Sequence, residues 1–244
     1  INALVKCWQN DGVSIGTMKN RLSALRWLAE KIDNKGLVKS NDELGIGKRQ
    51  YVTNENKSID LTDVKKVDLS KLSPHVALST ELQKEFGLRR EEAMKFQPSY
   101  ALAGFPPATA DKIMIKPSWS KGGRYREIPI TNDRQRELLG RVQALAGNGS
   151  LIPADKSYRQ HKNSFEYETR QAGIGQTHGL RHLYAQNRYY ELTGWQCPAV
   201  GGVRELTSNE KEIDQQARQQ ISEELGHGRL QITGVYLGSW SFKG

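Results

Sequence analysis

Apolar residues recur at helical spacing along much of this chain. Within residues 14–33 they fall at steps of three and four: Met18, Leu22, Leu25, Leu28 and Ile32. This spacing places them on one face of an amphipathic helix. Asn34-Lys35-Gly36 predicts the end of the helix, with Gly36 as a left-handed cap. Residues 1–10 are predicted to finish an earlier helix, and no initiator methionine precedes them, so we expect the native N-terminus to be missing.

A second helical pattern covers residues 78–96 and is interrupted at Gly87. Glycine inside a helix costs about 1 kcal/mol relative to alanine, so we predict a turn there. A helix that restarts after the turn would direct Arg89 into a cleft. Further helices are predicted over 131–146, over 158–172, from 178 and from 212, with Thr177 as a cap and an extended loop over 192–211.

Two β-prone segments flank Gly122-Gly123 between residues 113 and 130. This arrangement predicts a β-hairpin. Lys121 lies at or beside its tip. An exposed hairpin lysine commonly contributes only solubility, so the pattern alone leaves the role of Lys121 open.

The polar stretch Thr53–Ser58 contains no apolar residue and is predicted to link two domains. We therefore predict a small helical unit over residues 1–56 and a larger domain over 57–244.

Charge adds a class of partner to this picture. The 244 residues contain 36 Lys and Arg against 27 Asp and Glu, a net charge of +9, and a basic surface attracts polyanions such as DNA. The only cysteines, Cys7 and Cys197, lie far apart, which favours a reducing compartment without a disulfide framework. With no signal peptide and no apolar run of roughly 18–20 residues, we expect a cytoplasmic protein that does not enter a membrane.

Two short motifs near the C-terminus carry candidate chemistry. His178-Gly179-Leu180-Arg181-His182 begins a predicted helix, whose N-terminus favours a phosphate, and His178 and Arg181 share a face of its first turn. Leu225-Gly226-His227 follows, with Tyr236 nine residues later. Each motif alone is weak evidence, and from spacing alone His182 is expected to be structural.

In chain order these segments resemble the tyrosine recombinase (phage integrase) family over roughly residues 60–240. The matching segments are Gly87-Leu88-Arg89-x-x-Glu92, Lys121-Gly122-Gly123 leading to Ile128-Pro129-Ile130, His178-Gly179-Leu180-Arg181-His182, and Leu225-Gly226-His227 with Tyr236. The resemblance implies a mainly α fold with a small antiparallel β-sheet. It also implies that a catalytic domain follows part of a helical core-binding domain, and that the two clamp duplex DNA.

The resemblance further implies six catalytic residues: Arg89, Lys121, His178, Arg181, His227 and Tyr236. Tyr236 would attack DNA and form a covalent 3′-phosphotyrosine, which conserves the bond energy for religation. A free phenol has a pKa near 10, so it needs a proton acceptor and a cationic setting. The two arginines would stabilise the charge on the phosphate.

Lys121 would protonate the departing 5′ oxygen, His178 would assist proton transfer at the tyrosine, and His227 would hydrogen-bond the phosphate. This chemistry needs neither a metal nor another cofactor. The resemblance also implies that four protomers act together on synapsed DNA.

Several neighbouring residues compete for these roles. Arg90 is the rival of Arg89, but Arg89 keeps the family spacing to Glu92, which we expect to be structural and to orient an arginine. Tyr189 and Tyr190 are rival tyrosines, but both lie in a predicted helix without a preceding Leu-Gly-His, so core packing is the better interpretation.

The sequence departs from the family in two places. Arg181 and His227 are separated by 46 positions, longer than is usual in the family, with the excess in the 192–211 loop as a possible DNA-contacting or subunit-contacting insertion. Only eight residues follow Tyr236, which leaves open whether it acts in its own site or in a neighbour's. Alternatives are a type IB topoisomerase and a catalytically idle DNA-binding protein.

Overall fold

The computed structural model describes residues 1–62, 66–202 and 205–241. The chain divides into two compact units, Ile1–Tyr51 and Val52–Gly244. The predicted boundary, between residues 56 and 57, lies a few residues further along, inside the predicted linker. Asn54 lies in that stretch and belongs to the second unit, because its side-chain amide exchanges hydrogen bonds of 2.8 and 3.1 Å with the backbone of Ser239. That the first unit binds DNA stays a prediction.

The first unit contains helices α1, Asn2–Asn10, and α2, Ile15–Lys31. The hydroxyl of Ser14 caps α2 by accepting a hydrogen bond of 3.3 Å from the amide of Thr17, which satisfies one of the free donors of the first turn. Both helices were predicted, and α2 was predicted from the apolar spacing.

The predicted apolar stripe of α2 is wrong at its C-terminal end. Leu28 is 50% exposed and Ile32 is 60% exposed, whereas Ala29 is buried. The predicted cap is also wrong, because Asp33 adopts the left-handed conformation with φ 54° and Gly36 lies in a short 3₁₀ turn. A short polar residue such as aspartate tolerates this backbone region.

The second unit is mainly helical and contains a small antiparallel sheet, as predicted. Its elements in chain order are α3 Pro74–Phe86, α4 Arg90–Met94, α5 Pro98–Ala101, β1 Lys112–Ile115, β2 Arg126–Pro129, α6 Asp133–Ala146, α7 Tyr158–Gln171, α8 His178–Thr193, α9 Ser208–Glu224 and α10 Gly234–Leu237.

The core of the second unit forms around α3 and α8, which pack against each other. Leu82 and Phe86 of α3 and Tyr189 of α8 are completely buried. These side chains belong to one apolar cluster, which also contains Ile113 and Ile128 of the two strands. The strands and both long helices are therefore held to the same core.

The predicted β-hairpin is present, but its connection is longer than a tight turn. Strands β1 and β2 pair antiparallel with Ile113 opposite Ile128. The chain between them makes a 3₁₀ turn that buries Trp119. It then makes a second turn, in which the amide of Gly123 donates to the carbonyl of Ser120.

The interruption at Gly87 is a turn between α3 and α4, as predicted. Gly87 has φ 61°, a region that glycine adopts without steric cost. A β-carbon on Gly87 would lie 2.5 Å from Cδ1 of Tyr184 and 2.9 Å from Cδ2 of Leu225. Backbone conformation and close packing both require glycine at this position.

We expect Gly87→Ala to lower the free energy of unfolding by about 3 kcal/mol, because it combines backbone strain with overpacking. Gly104→Ala is the matched control. Gly104 also has a positive φ of 80°, but a β-carbon on it would meet nothing within 4 Å, so this variant should lose only about 1 kcal/mol. Urea denaturation of both variants measures the difference, and equal losses would contradict a packing role for Gly87.

The 192–211 region is more ordered at its ends than predicted. Helix α8 continues to Thr193 and α9 begins at Ser208 rather than at residue 212. Thr207 and Glu210 form a capping box, with Thr207 Oγ1 accepting from the Glu210 amide and the Glu210 carboxylate accepting from the Thr207 amide. This pattern favours an earlier helix start. Residues 203–204 of the predicted insertion lie outside the described chain, and its proposed contacts stay a prediction.

Candidate functional site

Arg89 stands directly after the Gly87 turn as the N-cap residue of α4. Its Nη1 donates to Oε1 of Glu92 at 2.8 Å, and its backbone amide donates to Oε2 at 2.7 Å. Burial raises the pKa of Glu92, but hydrogen bonding and charge from Arg126 and the charges of Arg181 and Arg89 outweigh it and lower that pKa to about 2. Glu92 is therefore ionised and orients Arg89, in line with the expectation for it.

Lys121 lies on the exposed turn between the strands, directly before Gly122, whose φ is 83°. It lines a cleft of about 870 Å³ that also includes Arg89 and His178. The structure thus brings these three predicted site residues to one open cavity, although they come from three separate segments.

His178 is the first residue of α8 and is exposed at the cleft. Thr177 occupies the predicted N-cap position, but its side chain makes no capping hydrogen bond. The predicted position is therefore right and the predicted side-chain cap is wrong. Gly179 packs closely against Ile59, and a β-carbon on Gly179 would overlap the Ile59 side chain. The amide of Ile59 also donates to the Gly179 carbonyl at 3.3 Å. These contacts fix the start of the helix that carries His178.

Arg181 is completely buried one turn further along α8. Its Nη1 donates to the carbonyl of Gly87 and its Nη2 to the carbonyl of Leu225. Each Nη carries a second hydrogen, so both ends of the guanidinium keep a donor beyond these carbonyls. Burial and the charges of Arg89 and Arg126 lower the pKa of Arg181, whereas interaction with Tyr236 raises it. The net result is a pKa of about 10. Arg181 is therefore cationic at neutral pH, and its hydrogen bonds connect the turn at Gly87 to the end of α9.

Tyr236 is 4% exposed, and its hydroxyl lies 3.3 Å from the Nε of Arg181. His227 lies on the same side, with its Nε2 3.4 Å from Nη2 of Arg181. His227 and Tyr236 are therefore gathered around the guanidinium of Arg181, although the three are distant in sequence.

Three histidine rings surround the ring of Tyr236. The centroid distances are 5.9 Å to His178, 5.5 Å to His227 and 4.6 Å to His182. His182 was expected to be structural because spacing gave it no task, yet it has the shortest of these distances and is 5% exposed. Its position four residues after His178, on the same helix face, was the signal for this contact.

These histidines are neutral at physiological pH. Burial, and then the charges of His178, Lys57 and Arg181, lower the pKa of His182 to about 4. Burial, followed by Arg181 and Arg89, lowers the pKa of His227 to about 3. Desolvation and the same two arginines lower the pKa of His178. A neutral imidazole can accept a proton or a hydrogen bond, which suits a neighbour of a phenol.

This electrostatic arrangement predicts a loss of stability on acidification. The unfolded chain takes up protons on histidine below a pKa of about 6.5, whereas folded His182 and His227 stay neutral until about pH 4 and 3. The unfolded state then binds more protons, so stability present above pH 6.5 is lost as the pH falls. We expect roughly 1.5 kcal/mol to be lost from His182 alone between pH 6.5 and 5.

Urea denaturation at pH 7, 6 and 5 measures this effect. His182→Phe keeps a ring against Tyr236 but removes one titrating group, so its stability should fall less steeply over the same range. Stability that is unchanged or higher at pH 5 would contradict the assignment of neutral histidines.

The rival residues have other hydrogen-bond partners, although Arg90 lines the same cleft as Arg89. Arg90 donates to Glu166 at 2.8 Å. Tyr189 is buried, as predicted, and its hydroxyl bonds to Asp214. Tyr190 was also expected to pack in the core, but it is 53% exposed, because it lies on the outward face of α8.

Among residues 1–62, 66–202 and 205–241, no group of three or more His, Cys, Asp or Glu side chains is arranged to hold a metal ion. Within the same ranges, no helix has the length and apolar character needed to cross a membrane.

The chain is similar to a known protein family and to several solved structures. A family model described as Integrase matches residues 47–187, a range that contains Arg89, Lys121, His178 and Arg181 and ends before His227. The structure of a XerA recombinase is 14% identical, with 96% of this chain and 75% of that chain covered and a TM-score of 0.48. An integrase from mycobacterium phage Brujita is 17% identical, with 98% and 83% covered and a TM-score of 0.42. No curated protein sequence matches the chain.

Proposed function

Because the chain belongs to the integrase family of tyrosine recombinases, we propose that it cleaves and rejoins duplex DNA at a specific site through a covalent bond between Tyr236 and a 3′-phosphate. The observation that carries the proposal is the position of the Tyr236 hydroxyl, 3.3 Å from the Nε of Arg181. Three histidine rings surround the same phenol.

The first chemical step is attack of the Tyr236 oxygen on phosphorus. The new phosphorus–oxygen bond replaces the bond to the 5′ oxygen of the next nucleotide, and the phosphodiester becomes a phosphotyrosine. The phenol proton passes to a neutral imidazole, for which His178 is the candidate at the cleft. Lys121 supplies a proton to the departing 5′ oxygen. Rejoining reverses both transfers when a 5′ hydroxyl attacks the phosphotyrosine.

Charge develops on the nonbridging oxygens of the phosphate during attack. Arg89 at the cleft and the remaining donors of Arg181 supply fixed positive charge for these oxygens. His227 supplies a hydrogen bond from the one N–H of its neutral ring. Glu92 and the Gly87 and Leu225 carbonyls hold the two guanidiniums before DNA arrives. Such preorganisation is what electrostatic catalysis requires.

Synapsis by four protomers belongs to the same proposal. Religation to a new partner strand requires two duplexes, each cut on both strands, and each active site contains one nucleophile. The net charge of +9 favours the DNA contacts that this assembly needs.

The proposal is tested with nicked duplexes from a library that includes the DNA flanking the coding sequence. A nick next to the scissile phosphate releases a short fragment after cleavage, so religation fails and the covalent adduct accumulates. We expect a band that is resistant to denaturant and sensitive to protease. The absence of an adduct on every duplex would favour the binding-only alternative, and plasmid relaxation without recombination of two cognate sites would favour the topoisomerase.

A further inference from the structure

Arg126 of β2 is an arginine at an inward-facing strand position, and its side chain is almost fully buried. Resting on the proposed function, we propose that Arg126 is a positioning residue that sets the relative places of Arg89, His227 and the strand leading from Lys121. Its own side chain does not touch Tyr236 in the described contacts, so its effect would pass through other groups.

The first link runs from Arg126 to Arg89 through Glu92. Nη1 of Arg126 donates to Oε1 of Glu92 at 3.0 Å, and Nη2 donates to Oε2 at 2.6 Å. The same two oxygens accept from Nη1 and from the backbone amide of Arg89. One fully buried carboxylate therefore receives four donors from two arginines, and this fixes the angle between them.

The second link runs from Arg126 to the turn that carries His227. Nε of Arg126 donates to the carbonyl of Glu224 at 2.8 Å. Gly226 has φ 66°, and a β-carbon on it would lie 2.9 Å from Cδ of Arg126. On the other side of His227, a β-carbon on Gly228 would overlap the guanidinium of Arg124. The hairpin thus contacts the backbone on both sides of His227.

The third link is the strand itself. Lys121 lies in the connection between the strands, five residues before Arg126, which is the first residue of β2, so the anchoring of Arg126 also anchors the C-terminal end of the Lys121 turn. All three nitrogens of the guanidinium are used: Nη1 and Nη2 lead through Glu92 to Arg89, and Nε leads through the Glu224 carbonyl to the turn of His227. A buried ion pair is weak evidence for stability, whereas supporting contacts that hold reactive groups within a fraction of an ångström are what a catalytic site needs.

The test measures cleavage and DNA affinity separately. Arg126→Lys keeps the charge but cannot bond both Glu92 oxygens and the Glu224 carbonyl at once. We expect its single-turnover cleavage rate on saturating nicked DNA to fall by about 10²-fold, with the DNA dissociation constant changed by less than about threefold. Arg141→Lys is the matched control, because Arg141 forms a bidentate, largely exposed pair with Glu81 and neither residue lines the cleft.

A second variant separates positioning from folding. Arg126→Met leaves Glu92 buried without its main partner and should lower the melting temperature, whereas Arg126→Met combined with Glu92→Gln removes the unpaired charge and should restore much of that loss. The double variant should still cleave as slowly as Arg126→Met. Cleavage that recovers together with the melting temperature would overturn the proposal and leave Arg126 a purely structural role.

A readout that does not depend on cleavage keeps the two proposals distinguishable. In Arg126→Lys, the NMR resonances of the His227 ring should shift, while those of His75 and His161, which face each other elsewhere, should not. Unchanged His227 resonances together with a wild-type cleavage rate would overturn the positioning role. If the wild-type protein forms no adduct, the proposed chemistry fails, and the His227 resonances still decide whether Arg126 sets this turn.

Discussion

Tyr236→Phe is expected to abolish the covalent adduct, with a reduction of at least about 10⁴-fold in single-turnover cleavage, because no other group replaces the attacking oxygen. The substitution removes only the hydroxyl that lies 3.3 Å from the Nε of Arg181, and the ring keeps its packing among the three histidines. Stability should therefore change by about 1 kcal/mol or less, and DNA affinity should stay near that of the wild type.

Tyr190→Phe is the matched control, since Tyr190 is 53% exposed on the same domain and should cleave at the wild-type rate. Mobility-shift titration and the adduct assay on one batch of nicked DNA separate binding from chemistry. An adduct that persists in Tyr236→Phe would show that another residue is the nucleophile.

Arg181→Lys is expected to have the second largest effect, because it weakens both the site and the fold. Lysine keeps a positive charge but cannot reach the Gly87 carbonyl, the Leu225 carbonyl and the Tyr236 hydroxyl together. Loss of a preorganised electrostatic contact costs about 10²–10³-fold in rate, and a buried carbonyl without a partner costs about 1–3 kcal/mol. We expect cleavage to fall by about 10³-fold or more and the urea midpoint to fall as well.

Arg89→Lys provides the comparison for Arg181→Lys. The Arg89 side chain is 24% exposed and donates to Glu92 rather than to main-chain carbonyls, so its replacement should slow cleavage with a smaller loss of stability. Rate assays and urea denaturation on both variants measure the contrast. Arg181→Lys with wild-type stability would contradict the double role of Arg181.

Much of the fold follows from local patterns in the sequence. Apolar spacing predicted the principal helices, Gly87 predicted the turn before Arg89, and the segments around Gly122-Gly123 predicted the antiparallel pair. These features depend on short-range preferences of the backbone, which a sequence carries in full. The start of α9 was missed although Thr207-x-x-Glu210 is a capping box that was available in the sequence.

Other features depend on tertiary packing and could not be predicted from spacing. Periodicity predicted that Leu28 and Ile32 of α2 are buried. It cannot show how far along α2 the neighbouring segments pack. The bonds from Arg181 to the Gly87 and Leu225 carbonyls join parts of the chain that are far apart in sequence. Their existence depends on the packing of α3 against α8 and on the turn after α9.

The order of motifs proposed the candidate site residues but not their arrangement. In the structure, Arg181, His227 and Tyr236 form one contact group, and Arg89, Lys121 and His178 share a cleft. Their catalytic roles stay a prediction. None of the motifs points to Arg126, although its place two residues before the buried Ile128 puts a charged side chain on the inward face of the strand.

The most direct test of the central claim is the identity of the residue that becomes linked to DNA. Adduct trapped on nicked DNA is digested with nuclease and trypsin and mapped by mass spectrometry. Residues 230–243 form one tryptic peptide whose only tyrosine is Tyr236. The account predicts a nucleotide joined to Tyr236 through its 3′-phosphate, and a nucleotide joined to any other residue, or through a 5′-phosphate, would contradict it.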